Sequence, residues 1–239
     1  MDPAFGAFYR TLYEQHWWFR TREQWILQVL RRIAPPGSSQ SILDVGCGDA
    51  LFFDRLLEFG DVQGVETSPE LVHPENPHRQ SVHIGPLDDS FQPGKRFSLI
   101  LMLDVLEHIP APLPVLQRSR DLLQPGGSLL VTVPAFNLLW TNHDVINHHV
   151  TRYKKSTLFP LLSEAGFKLE ESEYWFQWIF PVKLAERLVE KTLKLKPGNP
   201  TIPSPAVNRA LSGLCNLENT LLRPLRLPFG TTLFVRCAK

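Results

Sequence analysis

Two hydrophobic rhythms alternate along the chain. Short, largely apolar runs bounded by glycine, proline or charged residues predict strands at 41–45, 62–65, 82–84, 97–103, 128–133, 167–175 and 231–237. Apolar residues recurring every three to four positions predict helices at 7–33 (one or two), 51–59, 112–123 and 157–165, with a weaker one at 70–79 broken by Pro74 and Pro77. Strands and helices alternating in this way imply an α/β fold, with a mostly parallel seven-stranded sheet covered by helices on both faces. Two further helices, 182–196 and 206–222, are inserted before the last strand. In the first, Val182, Ala185, Leu188, Val189, Thr192 and Leu193 share one side, while Lys183, Glu186, Arg187, Glu190, Lys191 and Lys194 share the other.

The strand ends hold the chemistry. The first strand carries Asp44 and runs directly into Gly46-Cys47-Gly48, followed by the start of a helical pattern. Glycines in such a turn let the backbone approach a ligand, and the free N–H groups of the helix start face it. A dinucleotide fingerprint needs a third glycine, and Leu51 stands there instead, which argues against a pyrophosphate cofactor. Glu66 ends the second strand, where an acidic side chain accepts hydrogen bonds from both ribose hydroxyls. The expected ligand therefore has a ribose but no phosphate.

Leu43-Asp44-Val45-Gly46-Cys47-Gly48, Glu66 and Leu103-Asp104-Val105-Leu106-Glu107-His108, falling in this order, resemble the class I S-adenosylmethionine-dependent methyltransferases. The resemblance spans about residues 41–167 and is nearest in character to the ubiquinone-pathway and related small-molecule or lipid O-methyltransferases. It implies a Rossmann-like fold and S-adenosylmethionine as cofactor, with S-adenosylhomocysteine as product. The cofactor would be held by Asp44, Gly46, Cys47, Gly48, Glu66, Thr67, Leu103 and Asp104. Relatives often have an aspartate near the adenine where this chain has Pro86, so Leu87 and Asp88 are the expected substitutes. The organisation expected is an N-terminal helical lid (1–37), a cofactor-binding core (38–175), a helical insertion (176–229) and the last core strand (230–239).

Composition narrows the partners. Hydrophobic residues make up 43% and aromatics 10%, ample for a packed core, and the net charge of +1 offers nothing to nucleic acid. The three cysteines, Cys47, Cys215 and Cys237, are scattered and form no zinc or disulfide pattern. The N-terminus is acidic and aromatic, unlike a signal peptide, and the apolar run at 174–182 is too short to span a bilayer. A cytoplasmic protein is expected, with peripheral contact at the inner face of a membrane through 174–196. No pattern specifies an oligomeric state.

Methyl transfer from a sulfonium chiefly needs the acceptor held in line, and a hydroxyl acceptor also benefits from a base. His108, His143 and His149 are the candidates, since imidazole accepts a proton near neutral pH. The run Trp140-Thr141-Asn142-His143-Asp144, then His149, Arg152 and Tyr153, is similar to Trp-x-x-His-Asp and His-x-Arg-Arg-Tyr runs in relatives, with Thr151 in place of the first arginine. The acceptor, small or lipid-like, is expected against Trp17, Trp18, His108, Trp140, Tyr153, Trp175 and Trp178. A divalent ion on Asp104, Glu107 and His108 is the disfavoured alternative. A second reading makes the chain a catalytically silent S-adenosylmethionine- or nucleoside-binding protein that docks a partner or membrane through its insertion.

Overall fold

The computed structural model describes residues 3–193 and 201–239, with side chains from residue 9 onward; the end of the 182–196 helix and its Pro197–Pro200 stop lie outside the described residues. Seven strands form one sheet: β1 (Gln40–Val45), β2 (Gly60–Glu66), β3 (Val82–Ile84), β4 (Phe97–Leu103), β5 (Leu123–Pro134), β6 (Lys168–Trp175) and β7 (Thr232–Ala238). Their order is β3-β2-β1-β4-β5-β7-β6. All neighbours are parallel except β7, which runs antiparallel between β5 and β6. The order reverses between β1 and β4, and ligands of open α/β sheets bind in the crevice at that switch point.

Alternate side chains of each strand feed two cores. Leu43, Val45, Ile100, Met102, Leu129, Val131 and Val133 face one side, where α4 (Leu113–Leu122) and α6 (Lys155–Glu164) add Leu116, Leu158 and Leu162. Ile42, Leu99, Leu101, Leu130 and Phe234 face the other, against α2 (Trp17–Ile33) through Trp25, Ile26, Val29 and Leu30. The stripe at 25, 26, 29 and 30 follows the helical period, and Pro35 stops the helix soon after its end. α1 (Pro3–Gln15) precedes α2, whose first turn is capped by His16, the imidazole Nδ1 accepting from the Trp18 N–H at 3.2 Å.

The insertion consists of α7 (Ile179–Leu193) and α8 (Pro205–Leu221). α8 is pinned by buried Cys215 and Glu218; the Glu218 carboxylate accepts from the Gln177 N–H (2.8 Å) and the Trp178 N–H (3.2 Å), satisfying donors at the start of α7. Among the described residues, no helix is long and apolar enough to cross a membrane.

One expected helix is shorter than its sequence suggests, and another does not form. The 51–59 segment is helical only over α3 (Phe53–Leu56). Gly60 begins β2, and only glycine fits there because a Cβ would overlap the Gln40 backbone at 2.0 Å. The expected 70–79 helix does not form; Pro69–Leu71 and Arg79–Ser81 are isolated 3-10 turns, in keeping with the helix-breaking effect of Pro74 and Pro77.

Candidate active site

The glycine turn sits between β1 and α3 at the carboxyl edge of the sheet. Gly46 (φ +71°) and Gly48 (φ +53°) adopt left-handed backbone, and a Cβ on Gly46 would press on Val105 at 2.7 Å, so only glycine suits that position. Beyond Gly48 the space is open where a Cβ would stand. Buried Glu66 faces this turn, its Oε2 accepting from the Gly48 N–H (2.9 Å) and its Oε1 from the Ser68 N–H (2.9 Å). Thr67 Oγ1 adds a longer bond to the same carboxylate (3.4 Å).

Asp44, Gly46, Cys47 and Leu103 converge on one cleft with Tyr9, Tyr13, Arg22, Glu23, Asp49 and Phe52. Its cavity of about 60 Å³ is small beside the roughly 300–1,000 Å³ usual for ligand pockets, because α1 and α2 close it. Arg10 pairs with Asp49, and the Tyr13 hydroxyl donates to Glu23. Burial pushes Asp44 up to about 7, partly opposed by Arg22 and helped by the nearby Glu66 charge. Burial likewise raises the Cys47 thiol, which is thus neutral and unreactive, and lifts Tyr9 to about 12.

Arg22 was not anticipated from the sequence, since one arginine on an aromatic amphipathic helix looks like a surface residue. It is 8% exposed. Its Nη2 pairs with Asp104 Oδ2 (2.7 Å) and donates to Thr132 Oγ1 (3.2 Å), while the guanidinium lies over the Trp18 ring. Arg22 Nε is buried without a protein partner, so a donor remains for an anionic ligand group. A left-handed glycine turn, a buried acid at the end of β2 and a cationic donor suit a nucleoside that bears an amino-acid tail and no phosphate.

The adenine substitutes part company. Leu87 is buried in the core, and exposed Asp88 has its carboxylate engaged by the Ser90 N–H (2.8 Å) and hydroxyl (2.6 Å), which hold it below its ordinary range.

A second cluster lies beyond β4 and β5. Asp104, in left-handed backbone (φ +59°), ends β4 and leads into the 3-10 turn Leu106–His108. The Val150 N–H donates to Glu107 O (2.7 Å), tying the loop after β5 to that turn. His108 and His149 rings lie 4.8 Å apart and His143 and His149 rings 6.4 Å apart, so the three expected histidines are brought together. His108 is exposed at its outer edge, yet the protein around its ring and neighbouring His149 lower its pKa to about 4. Packing and then Lys183 do the same for His143, also to about 4. Both are neutral at pH 7.

Asp144 is fully buried on α5 (Asn142–Ile146) and ties this cluster together. It accepts from Arg152 Nε (2.7 Å) and Nη2 (2.9 Å), from His149 Nδ1 (2.8 Å) and from the Thr141 N–H (2.8 Å). Burial pushes this carboxyl up, but the bonds from His149 and Arg152 outweigh it and hold it well below the usual range. Glu107 is the opposite case: burial, reinforced by Asp104, drives it well above its ordinary value, and neither carboxyl oxygen has a partner among the described residues. The disfavoured metal set of Asp104, Glu107 and His108 does not come together, because Asp104 turns to Arg22 and Thr132. Among the described residues, Glu107 and His108 converge instead with His149, their nearest polar atoms within 4.8 Å of one another.

The aromatic residues expected around the acceptor divide. Trp17 and Trp18 meet Phe176, and Trp17 meets Trp178, forming a half-buried cluster where α2 joins α7. Trp140 is half-buried on the loop after β5. Trp175 is a core residue rather than pocket lining, fully buried, stacked on Phe234 at 4.6 Å and edge-on to Trp25. Tyr153 is likewise buried, its hydroxyl donating to Leu106 O (3.1 Å).

The family model described as a methyltransferase domain matches residues 17–172, from α2 through the acid and glycine motifs and the histidine loop into β6. The chain belongs to the class I S-adenosylmethionine-dependent methyltransferases. This methyltransferase is similar to the ubiquinone biosynthesis O-methyltransferase of Xanthomonas campestris, 34% identical over 165 residues that cover 60% of this chain and 68% of that one. A namesake from Coxiella burnetii is 32% identical over 95 residues, 37% of this chain and 41% of that one. Its fold is that of a putative methyltransferase from Haloferax volcanii, solved with a methyltransferase activator (TM-score 0.61, 16% identity, 99% of this chain and 96% of that one). It is also that of an S-adenosylmethionine-dependent methyltransferase from Archaeoglobus fulgidus (TM-score 0.55, 17% identity, 91% and 94%).

Proposed function

We propose that this methyltransferase moves the methyl group to a hydroxyl of a small or lipophilic acceptor, such as a phenolic quinone precursor or a lipid-linked glycan. The observation that carries the reading is the convergence of His108, His143 and His149 in the loops after β4 and β5, β4 being the strand whose Leu103 lines the glycine cleft. Bound S-adenosylmethionine supplies an electrophilic methyl on a sulfonium. Gly46 and Gly48 admit the nucleoside, Glu66 accepts from the ribose, and Arg22 Nε meets the carboxylate of its amino-acid end. The chain's main work is then to hold a hydroxyl in line with the methyl and keep water out, the kind of positioning worth many orders of magnitude in rate. One of the three imidazoles takes the hydroxyl proton, a contribution of about 10²–10⁴ in rate. The names of the relatives, O-methyltransferases of ubiquinone biosynthesis, support an oxygen acceptor.

α7 covers the histidine loop. Arg187 donates to Leu138 O, and Glu190 accepts from the Asn142 N–H (3.1 Å). The outward sides of α7 and α8 expose Val182, Val189, Leu193, Leu214, Leu217 and Leu221, each between 46% and 63%. Such a cover with a greasy outer face suits an acceptor delivered from a lipid surface.

The test is incubation with methyl-tritiated S-adenosylmethionine and a panel of catechols, simple phenols, lipid-linked glycans and primary amines. Label in a methyl ether is the expected result. Label confined to amines, or no transfer to any of the panel, overturns the reading.

A further inference from the structure

The loop after β5 is built around one carboxylate. Thr141 begins α5, and its N–H and the Arg152 fork occupy Asp144 from two directions. His148, with left-handed backbone (φ +56°), turns the chain so that the next residue folds back, and the His149 N–H donates to Asp144 O (2.9 Å). The His149 side chain then closes on the same residue, Nδ1 at 2.8 Å from Asp144 Oδ1. A fully buried carboxylate gripped by a guanidinium is ionised and can only accept hydrogen bonds. The His149 nitrogen facing it must therefore carry a proton, so Nε2 is the nitrogen left to act as an acceptor. His108 lies edge-on to this ring, and the Val150 bond to Glu107 fixes the whole segment against the end of β4.

We infer that Asp144 and His149 form a dyad in which His149 Nε2 is the base of the methyl transfer and Asp144 is its positioning residue. The inference rests on the hydroxyl-acceptor reading and selects one histidine of the three. As the acceptor oxygen bonds to the methyl and the carbon–sulfur pair returns to sulfur, Nε2 takes the hydroxyl proton. The positive charge lost at sulfur reappears on the imidazolium, which Asp144 stabilises, and the proton later leaves to water. Among the described residues, His143 has no such carboxylate hydrogen bond: its ring meets the Asn147 amide instead (3.2 Å). Thr141 and Arg152 hold Asp144 in place and touch no reacting atom in this scheme.

The experiment is a long-range proton–nitrogen correlation spectrum of histidine-labelled protein at pH 7.5 without cofactor. It is recorded for the wild type, Asp144→Asn and Arg152→Lys, with methyl transfer to catechol measured alongside. The wild type is expected to show His149 protonated at Nδ1 and bare at Nε2. Asp144→Asn should mix or invert the tautomers and lower kcat on catechol about 100-fold with KM within twofold, whereas Arg152→Lys should keep the wild-type tautomer. Wild-type His149 protonated at Nε2 overturns the dyad even if Asp144→Asn fails to fold. An Asp144→Asn protein that loses the tautomer but keeps its turnover reduces Asp144 to loop structure and also overturns it. A wild type with the expected tautomer but no transfer to catechol counts against the phenolic reading and leaves the dyad standing on its spectrum.

Discussion

Arg22 on α2 pairs with Asp104 at the end of β4, Nη2 to Oδ2 at 2.7 Å, and so locks the N-terminal helices onto the carboxyl edge of the sheet. Thr132 completes a triangle, accepting from Arg22 and donating to Asp104 Oδ1 (3.1 Å). Asp44 and Glu66 are close enough for their charges to be felt in the same cleft. One buried cation therefore balances several acids, and the cleft at the glycine turn is organised about it.

Arg22→Met should leave those acids uncompensated. The expected loss is about 1–3 kcal/mol of stability, below the figure for a fully buried pair because Asp104 is partly solvated. Affinity for S-adenosylmethionine should fall about tenfold or more, as expected when a charged hydrogen-bond donor is removed. Denaturant titration and calorimetry read the two effects. Unchanged affinity would remove Arg22 from the cofactor site.

Asp44 gives a pH prediction for the cofactor-free protein. Its folded pKa, about 7, lies above the ordinary 3.8, so the native state holds its proton more tightly than the unfolded chain. That contribution is complete below pH 3.8 and is lost as the pH rises through 7. Relative to the wild type, Asp44→Asn should gain stability steadily between pH 4 and 7, by up to roughly 4 kcal/mol, then level off. Chemical denaturation at several pH values checks it; a difference that does not vary with pH contradicts it.

Trp175 distinguishes core from pocket. Trp175→Ala should cost about 3–5 kcal/mol in unfolding free energy, because it opens a cavity between Phe234 and Trp25. KM for any acceptor, measured well below the melting temperature, should stay within a few-fold. A stable variant with a large rise in acceptor KM would return Trp175 to the acceptor site.

The exposed leucines of α8 make the lipid-surface reading testable. The wild type should float with vesicles containing phosphatidylglycerol, and Leu214→Glu with Leu221→Glu should release it without changing S-adenosylmethionine affinity. Equal flotation of both proteins would discard the surface.

Much of this arrangement is legible in the sequence. Seven strands, the glycine turn with Glu66, and the histidine-rich loop are local patterns, and local patterns survive folding; strand boundaries moved by a residue or two, except that β5 begins at Leu123 rather than 128. What escaped depends on contacts distant in sequence. Arg22 acquires its role only because α2 crosses the sheet to Asp104 and Thr132. Trp175 was expected in the acceptor pocket because it begins an aromatic run, yet it is the final residue of β6 and its face of the sheet meets α2. The Asp104, Glu107 and His108 triplet looks like a ligand set by proximity in sequence alone, but the left-handed turn at Asp104 sends its carboxylate to Arg22 and Thr132, while the Glu107 carboxyl meets no polar partner among the described residues. Asp144 takes part in the capping box of α5, a local role, but the same carboxylate also holds His149, a contact its place in the Trp140–Asp144 run does not show.

The most direct measurement is calorimetric titration of the protein with S-adenosylmethionine, repeated with NAD⁺ and with Glu66→Ala. One site for S-adenosylmethionine, none for NAD⁺, and an affinity about tenfold weaker in Glu66→Ala is the predicted outcome. Absence of S-adenosylmethionine binding, or binding indifferent to Glu66, would contradict the glycine and acid corner as the cofactor site.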